Sequence, residues 1–111
     1  MRLAEIKPQF LHVDPAGDAS RFRHVDSLAQ ANGIIFLCPK CWTKNGGPRG
    51  THSVICWAPP VPQSIGPKPG RWAMVGTGYD DLTLVAGSSS VLLTGGCAAH
   101  FFVTNGAIVD A

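Results

Sequence analysis

The stretch GIIFLCPKCW, residues 33 to 42, carries the strongest structural signals in this sequence. Its first half is an unbroken run of β-branched, aliphatic and aromatic side chains, which is typical of a strand that is buried on both faces. Gly33 bounds this run on one side and a Cys-Pro pair bounds it on the other. The run therefore predicts a buried strand at residues 33–38.

The second half of the stretch places Cys38 and Cys41 two residues apart, and Cys97 and His100 repeat that spacing. Such a knuckle lets both side chains reach one ion while the intervening amides point at the sulfurs. Together the two knuckles supply three thiolates and one imidazole, which close a tetrahedron around zinc. We therefore predict one structural zinc ion held by Cys38, Cys41, Cys97 and His100. Because 55 residues separate the knuckles, the metal would close a long loop, where a cross-link removes much of the unfolded-state entropy.

A redox role is the main alternative for Cys38 and Cys41. Redox chemistry favours a first thiol at a helix N-terminus, where the helix dipole lowers its pKa. Residues 42–50, WTKNGGPRG, predict a glycine-rich loop instead of a helix. The sequence therefore favours metal binding over redox chemistry.

His52 and Cys56 lie near the first knuckle in sequence, but they cannot both join one site. Four residues apart on a strand, they would be about 13 Å apart, whereas ligand atoms of one zinc lie within about 4 Å of one another. We predict that Cys56 is a small core residue. For His52, a structural role at the edge of a loop is the simpler interpretation, and a functional role near the metal is the alternative.

Three further groups of residues were weighed as chemical sites. Zinc deaminases pair His-x-Glu with Pro-Cys-x-x-Cys, but here Asp26 stands where the Glu is needed and Leu37 where the Pro is needed. Tyr79, Asp80 and Asp81 are candidates for cation binding or acid–base chemistry, although turn formation explains them more simply. The remaining group surrounds the first knuckle and resembles a nucleic-acid footprint: Lys40, Trp42, Lys44 and Arg49.

Length and composition restrict the class of protein. The 111 residues predict a single domain, 1–111. Nine basic and seven acidic residues give a net charge of +2, which is too weak to indicate nucleic acid or anionic membrane by itself. No apolar run approaches the ~20 residues of a membrane-spanning helix. With Glu5 and Pro8 near the start, a signal peptide is not expected, so we predict a cytoplasmic protein with reduced thiols.

The predicted fold is mostly β, a small sandwich or barrel-like sheet with one short helix and zinc-ribbon-like knuckles that tie the sheet. The short helix would begin at Asp26 or Ser27 and end at Gly33. Five prolines between residues 58 and 70 predict an exposed connection. Asn105-Gly106 between two apolar runs predicts a hairpin with a type I′ turn. The predicted strands are residues 33–38, 51–57, 71–75, 82–85, 90–93 and the hairpin at 101–109.

Several segments resemble short phage and prophage proteins related to the family of unknown function 6527. The matching pieces are MRLAEIKPQF, FLCPKC, GTHSVICW, GRWAMVGTGYDDLTL and GGCAAHFFVTNGAIVD. The resemblance implies the same four metal ligands and a setting in a virus or mobile element. Relatives often carry the label ammonia monooxygenase, which this chain does not support because it has no membrane span and no copper-type His cluster.

These observations lead to three functional hypotheses. The first is a non-enzymatic accessory protein of a phage or mobile element that binds a host protein, with a host defence component as the candidate partner. The second is a nucleic-acid-binding zinc module that uses the basic first knuckle. The third is a metal-dependent hydrolase or small-ligand-binding protein that uses His52, Tyr79, Asp80 or Asp81.

Overall fold

A computed structural model describes residues 1–14, 16, 22–66, 70–85, 91–92 and 99–110 of the chain. This part of the protein is mostly β, as the sequence predicts. The strands are β1 Gln9–His12, β2 Arg23–Val25, β3 Gly33–Leu37, β4 Ser53–Trp57, β5 Ala73–Val75, β6 Thr83–Val85, β7 Val91–Leu92, β8 His100–Thr104 and β9 Ala107–Asp110. Among the described residues, one α-helix, α1, spans Pro39–Asn45, and two 3-10 helices span Leu3–Ile6 and Leu28–Gln30.

The predicted buried strand, β3, is central to the largest sheet. That sheet is antiparallel and has the order β2-β1-β3-β4. Ile34 pairs with Phe10 on one side and with Cys56 on the other, and all three side chains are buried. Gly33 lies opposite Trp57, and a Cβ at Gly33 would overlap the Trp57 ring. The glycine that bounds the run therefore makes room for the largest buried side chain.

The hairpin of β8 and β9 confirms the predicted type I′ turn. Asn105 and Gly106 both have positive φ, at 48° and 75°, as this turn requires. The turn is also buried against the rest of the chain, because the Gly106 amide donates to the Leu82 carbonyl and the Gly106 carbonyl accepts from Leu3. A Cβ at Gly106 would overlap the carbonyl group of Asp80. β7 pairs with β8 and completes a three-stranded sheet, whereas β5 and β6 form a separate two-stranded ribbon.

Two groups of buried apolar residues hold these sheets together. The larger one lies between the main sheet, the β5–β6 ribbon and the hairpin, and Phe36 and Phe101 meet in it edge to face, with ring centroids 6.0 Å apart. The smaller one lies on the opposite face of the main sheet and consists of Leu11, Val13, Trp57, Val61 and Ile65.

The proline-rich segment after β4 agrees with its prediction only in part. Residues 59, 60, 63, 64 and 66 are exposed as expected, but Val61 and Ile65 are buried. The Arg71 guanidinium donates to the carbonyl oxygens of Val61, Pro62, Ile65 and Gly70 at 2.7 to 2.8 Å. Because proline withholds backbone donors, a side chain with five N–H groups satisfies these carbonyls instead. Burial lowers the Arg71 pKa, although a guanidinium stays charged at any ordinary pH.

One other local prediction was wrong. Residues 42–50 were predicted as a glycine-rich loop, yet α1 continues through residue 45 before the loop begins. The helix predicted after Ser27 is present as the short 3-10 helix at Leu28–Gln30.

Candidate metal centre

The first knuckle is built by the start of α1. Cys38 is the N-cap residue, and its carbonyl accepts the Trp42 amide at 2.8 Å. Pro39 occupies the first helical turn, where its fixed φ fits and its missing N–H is not needed. Gly46 ends the helix in the left-handed conformation at φ 70°. Because Cys38 and Cys41 are three residues apart across the helix start, their side chains lie on neighbouring positions of one face.

His52 completes a group of three ligands at this corner. It directly precedes β4, and its carbonyl oxygen accepts the Cys38 amide at 2.8 Å. The potential ligand atoms of Cys38, Cys41 and His52 all lie within 4.8 Å of one another. Cys38 is buried, Cys41 is partly buried and His52 is exposed. The group can therefore hold a metal ion at the protein surface, with its first thiol anchored in the core.

The Nδ1 atom of His52 lies 3.3 Å from the Ser53 carbonyl oxygen. A carbonyl oxygen can only accept a hydrogen bond, so this contact is a hydrogen bond in the tautomer that carries its proton on Nδ1. In that tautomer Nε2 is the nitrogen able to bind a metal. Metal-ligating histidines commonly donate their other ring N–H to a carbonyl or carboxylate in this way.

The four residues predicted as zinc ligands differ in their positions relative to this cluster. Cys38 and Cys41 lie together, as predicted. His100 is exposed at the start of β8 and is not one of the residues whose ligand atoms share the 4.8 Å cluster. Cys97 lies outside the described residues, so its role as a ligand stays a prediction.

His52, for which the sequence favoured a structural role at a loop edge over a functional role near the metal, lies in this cluster. Its ligand atom is within 4.8 Å of those of Cys38 and Cys41, which is the arrangement expected for the functional alternative. A usable signal was present, because residues 33–38 and 51–57 were predicted as consecutive strands. Pairing them as an antiparallel hairpin, with Leu37 opposite Ser53 as the structure has it, places residue 38 opposite residue 52.

The start of α1 also bears on redox chemistry. A loop was predicted after the first cysteine, yet α1 begins directly after Cys38. The spacing and the helix are thus compatible with a dithiol site. The nearby imidazole is the feature that favours metal binding, since a histidine with two cysteines is a common donor set for zinc.

Cys56 lies apart from the metal centre, as predicted. It is buried in β4, and burial raises the pKa of its thiol to about 12. A thiol with this pKa remains protonated at neutral pH and is neither a nucleophile nor a ligand. Cys56 is therefore an apolar core residue.

Two of the residues considered for a hydrolase site, Tyr79 and Asp81, make contacts that stabilise the fold. The Tyr79 hydroxyl accepts the Phe10 amide at 3.1 Å, and the two rings stack with centroids 4.3 Å apart. The Asp81 carboxylate accepts the amides of Thr77 and Gly78, each at 2.9 Å. These hydrogen bonds lower the Asp81 pKa. Both residues thus stabilise the turn before β6 and its packing on β1.

The basic segment around the knuckle does not form one continuous surface with its tryptophan. Trp42 is partly buried and packs against the main core, so its ring is not presented as a platform for a base. Lys40 and Lys44 are exposed on the other side of α1, where they line a cavity. This arrangement weakens the footprint on which the nucleic-acid hypothesis was built.

Comparison with known proteins identified no relative of this chain. No model of a protein family matches the chain, and neither the curated proteins nor the solved structures contain a match. The resemblance to the phage and prophage proteins stays a prediction. In the described part of the chain, none of the helices combines the length and the apolar character needed to cross a membrane.

Proposed function

We propose that this protein is a zinc-binding β domain in which Cys38, Cys41 and His52 hold one structural zinc ion. The observation that carries the proposal is the convergence of two thiols and one imidazole within 4.8 Å. Zinc suits this donor set because it accepts both sulfur and nitrogen ligands in a tetrahedron. In this role the metal fixes the end of β3, the start of α1 and the start of β4 to one point.

The fourth ligand is proposed to be Cys97, as in the sequence prediction. Structural zinc sites are almost always four-coordinate with protein ligands. Ala99, two residues beyond Cys97, lines the same cavity as Pro39, which directly follows Cys38. The resulting Cys3His set differs from the one predicted from the sequence only in its histidine, which is His52 instead of His100.

Elemental analysis and native mass spectrometry test the zinc proposal. We expect one zinc per chain in the wild type and in Cys56→Ser, and much less than one in Cys41→Ser and Cys97→Ser. Cobalt substitution then distinguishes a closed site, in which protein side chains supply all four ligands, from an open site that also binds an exchangeable water. Only the open site would permit catalysis by the metal. Equal zinc loss in Cys41→Ser and Cys56→Ser would overturn the assignment.

For the role of the domain, we propose that it acts by binding another protein. In this proposal a phage or mobile element encodes the domain, and the partner is a protein of the host cell. The support is two exposed valines on the β5–β6 ribbon, Val75 and Val85, which are 55% and 43% exposed, and the proposed four-ligand zinc site would leave no open position for catalysis. Affinity purification with Val75→Glu should lose a specific partner that Val109→Glu retains, since Val109 is a comparably exposed valine on β9. Equal retention by both variants would contradict this use of the ribbon.

A dithiol redox protein is the second candidate, favoured by the position of Cys38 at the start of α1. In that case the two thiols would form a reversible disulfide, and each variant lacking one of them would lose disulfide-exchange activity. A zinc-loaded wild type with no exchange activity toward a model disulfide would exclude this candidate in favour of the metal site.

A further inference from the structure

A cavity of about 500 Å³ lies between α1 and the β8–β9 hairpin. Its size is within the range of small-molecule sites. One wall comes from α1 and the other from the hairpin and the residues beside it. The lining residues are Met1, Pro39, Lys40, Thr43, Lys44, Ala99, His100, Phe101, Ile108 and Asp110.

The floor and the rim of this cavity differ in chemistry. Pro39, Ala99 and Phe101 are buried and form an apolar floor, and Ile108 is partly buried beside them. The exposed lining side chains are polar or charged apart from Met1. An apolar floor with a few polar groups around it is the usual composition of a site for a small organic molecule.

The charges at the rim favour an anion. Lys40 and Lys44 are one turn apart on α1 and line the cavity together. Asp110, near the end of β9, also lines the cavity, so two lysines and one aspartate give the lining side chains an excess of one positive charge. His100 lines the cavity as well, and the Thr43 hydroxyl in its wall donates to the Pro39 carbonyl at 3.1 Å.

We propose that this cavity binds a small organic phosphate or carboxylate. Its anionic group would lie between Lys40 and Lys44, and its apolar part would lie on the floor formed by Pro39, Ala99 and Phe101. This site is distinct from the proposed zinc site, because Cys38 and Cys41 are not among its lining residues. The proposal therefore does not depend on the metal.

The probes for this site are phenyl phosphate, benzoate and benzylamine. Binding of each probe is measured by amide chemical shifts in a nitrogen-15 NMR titration. The three probes share one aromatic ring and differ in charge. Saturable shifts confined to residues 40–44 and 99–108 are expected with at least one of the two anions and not with benzylamine. Comparison of phenyl phosphate with benzoate identifies the preferred anionic group.

Two double variants with the same change in net charge provide the control. Lys40→Gln with Lys44→Gln should weaken binding about tenfold, because two charge-assisted contacts are lost. Arg23→Gln with Arg49→Gln removes two exposed cations that do not line the cavity, and it should leave affinity within about twofold, as expected for distant screened charges. Equal weakening in both variants, equal binding of benzylamine, or no saturable shift with either anion would overturn the proposal. The amide spectrum of each unliganded variant verifies its fold.

Discussion

Two corners of this molecule end in a left-handed glycine, and they are held in different ways. Gly106 in the hairpin has φ 75° and Gly46 at the end of α1 has φ 70°. Around Gly106 the chain is closely packed, and the Asp80 carbonyl occupies the space of a Cβ. Around Gly46 there is nothing within 4 Å of that position. Contacts with the backbone thus fix the hairpin corner. The corner that carries Cys38, Cys41 and His52 has no such contact at its glycine, and a metal ion bound by these three residues could fix it instead.

The proposed zinc site would make the stability of the corner with Cys38, Cys41 and His52 depend on the metal concentration, whereas the hairpin corner needs no metal. Backbone geometry at Gly106 acts at any metal concentration. Zinc bound only by the folded chain stabilises it by about 4 kcal/mol when free zinc is a thousand times the dissociation constant.

Metal removal is the change with the largest expected effect. Chelation should lower the free energy of unfolding by about 4 kcal/mol relative to protein in excess zinc, as measured by urea denaturation. His52→Ala should show a much smaller difference between the two conditions, because one ligand is missing. A wild type that is equally stable with and without chelator would contradict the account.

Replacement of the two glycines compares the corners directly. Gly106→Ala should cost about 3 kcal/mol, from left-handed strain plus displacement of the Asp80 carbonyl. Gly46→Ala should cost about 1 kcal/mol, from the strain alone. Denaturation of both variants in excess zinc measures the difference, and Gly66→Ala serves as a control at a position with no neighbour within 4 Å and no positive φ. Equal losses for Gly106 and Gly46 would show that packing at the hairpin is not the cause.

The thiols at the metal corner and in the core should differ in reactivity. Iodoacetamide at pH 8 in the presence of chelator should modify the partly buried Cys41 well before Cys56, whose buried thiol has a pKa of about 12 and so stays protonated at that pH. Peptide mass spectrometry over time gives the order. Modification of Cys56 at the rate of Cys41 would contradict its assignment to the core.

The smallest expected effect concerns the turn before β6. Hydrogen bonds from Thr77 and Gly78 lower the Asp81 pKa in the folded protein. Its contribution to stability is therefore fully present above the unfolded pKa of about 3.9 and is lost as pH falls through the lower folded value. Carbon-13 NMR titration should give an Asp81 midpoint below that of the unfolded chain, and Thr77→Ala should move it upward. A midpoint at or above the unfolded value would contradict the turn geometry.

The two corners were not equally predictable from the sequence. Asn105-Gly106 encodes its own turn, since both positive φ values are a property of those two residues. The Cys38–Cys41 spacing likewise indicated a metal site. His52 required knowledge of a strand register, because its proximity to Cys38 comes from the pairing of β3 with β4.

The remaining errors concern features that hydrophobic periodicity does not reveal. Residues 39–45 form a helix although a glycine-rich loop follows, because Pro39 starts the turn and Gly46 provides its end. In the proline-rich segment Val61 and Ile65 are buried, and Arg71 satisfies the backbone carbonyl groups of this segment.

X-ray absorption at the zinc edge is the most direct test of the central claim that Cys38, Cys41 and His52 bind zinc. For the wild type we expect sulfur neighbours at about 2.3 Å and an imidazole nitrogen at about 2.0 to 2.1 Å. In His52→Ala the imidazole signal should disappear, whereas in His100→Ala it should remain. An imidazole signal that persists in His52→Ala and vanishes in His100→Ala would contradict the account and restore the ligand set expected from the sequence.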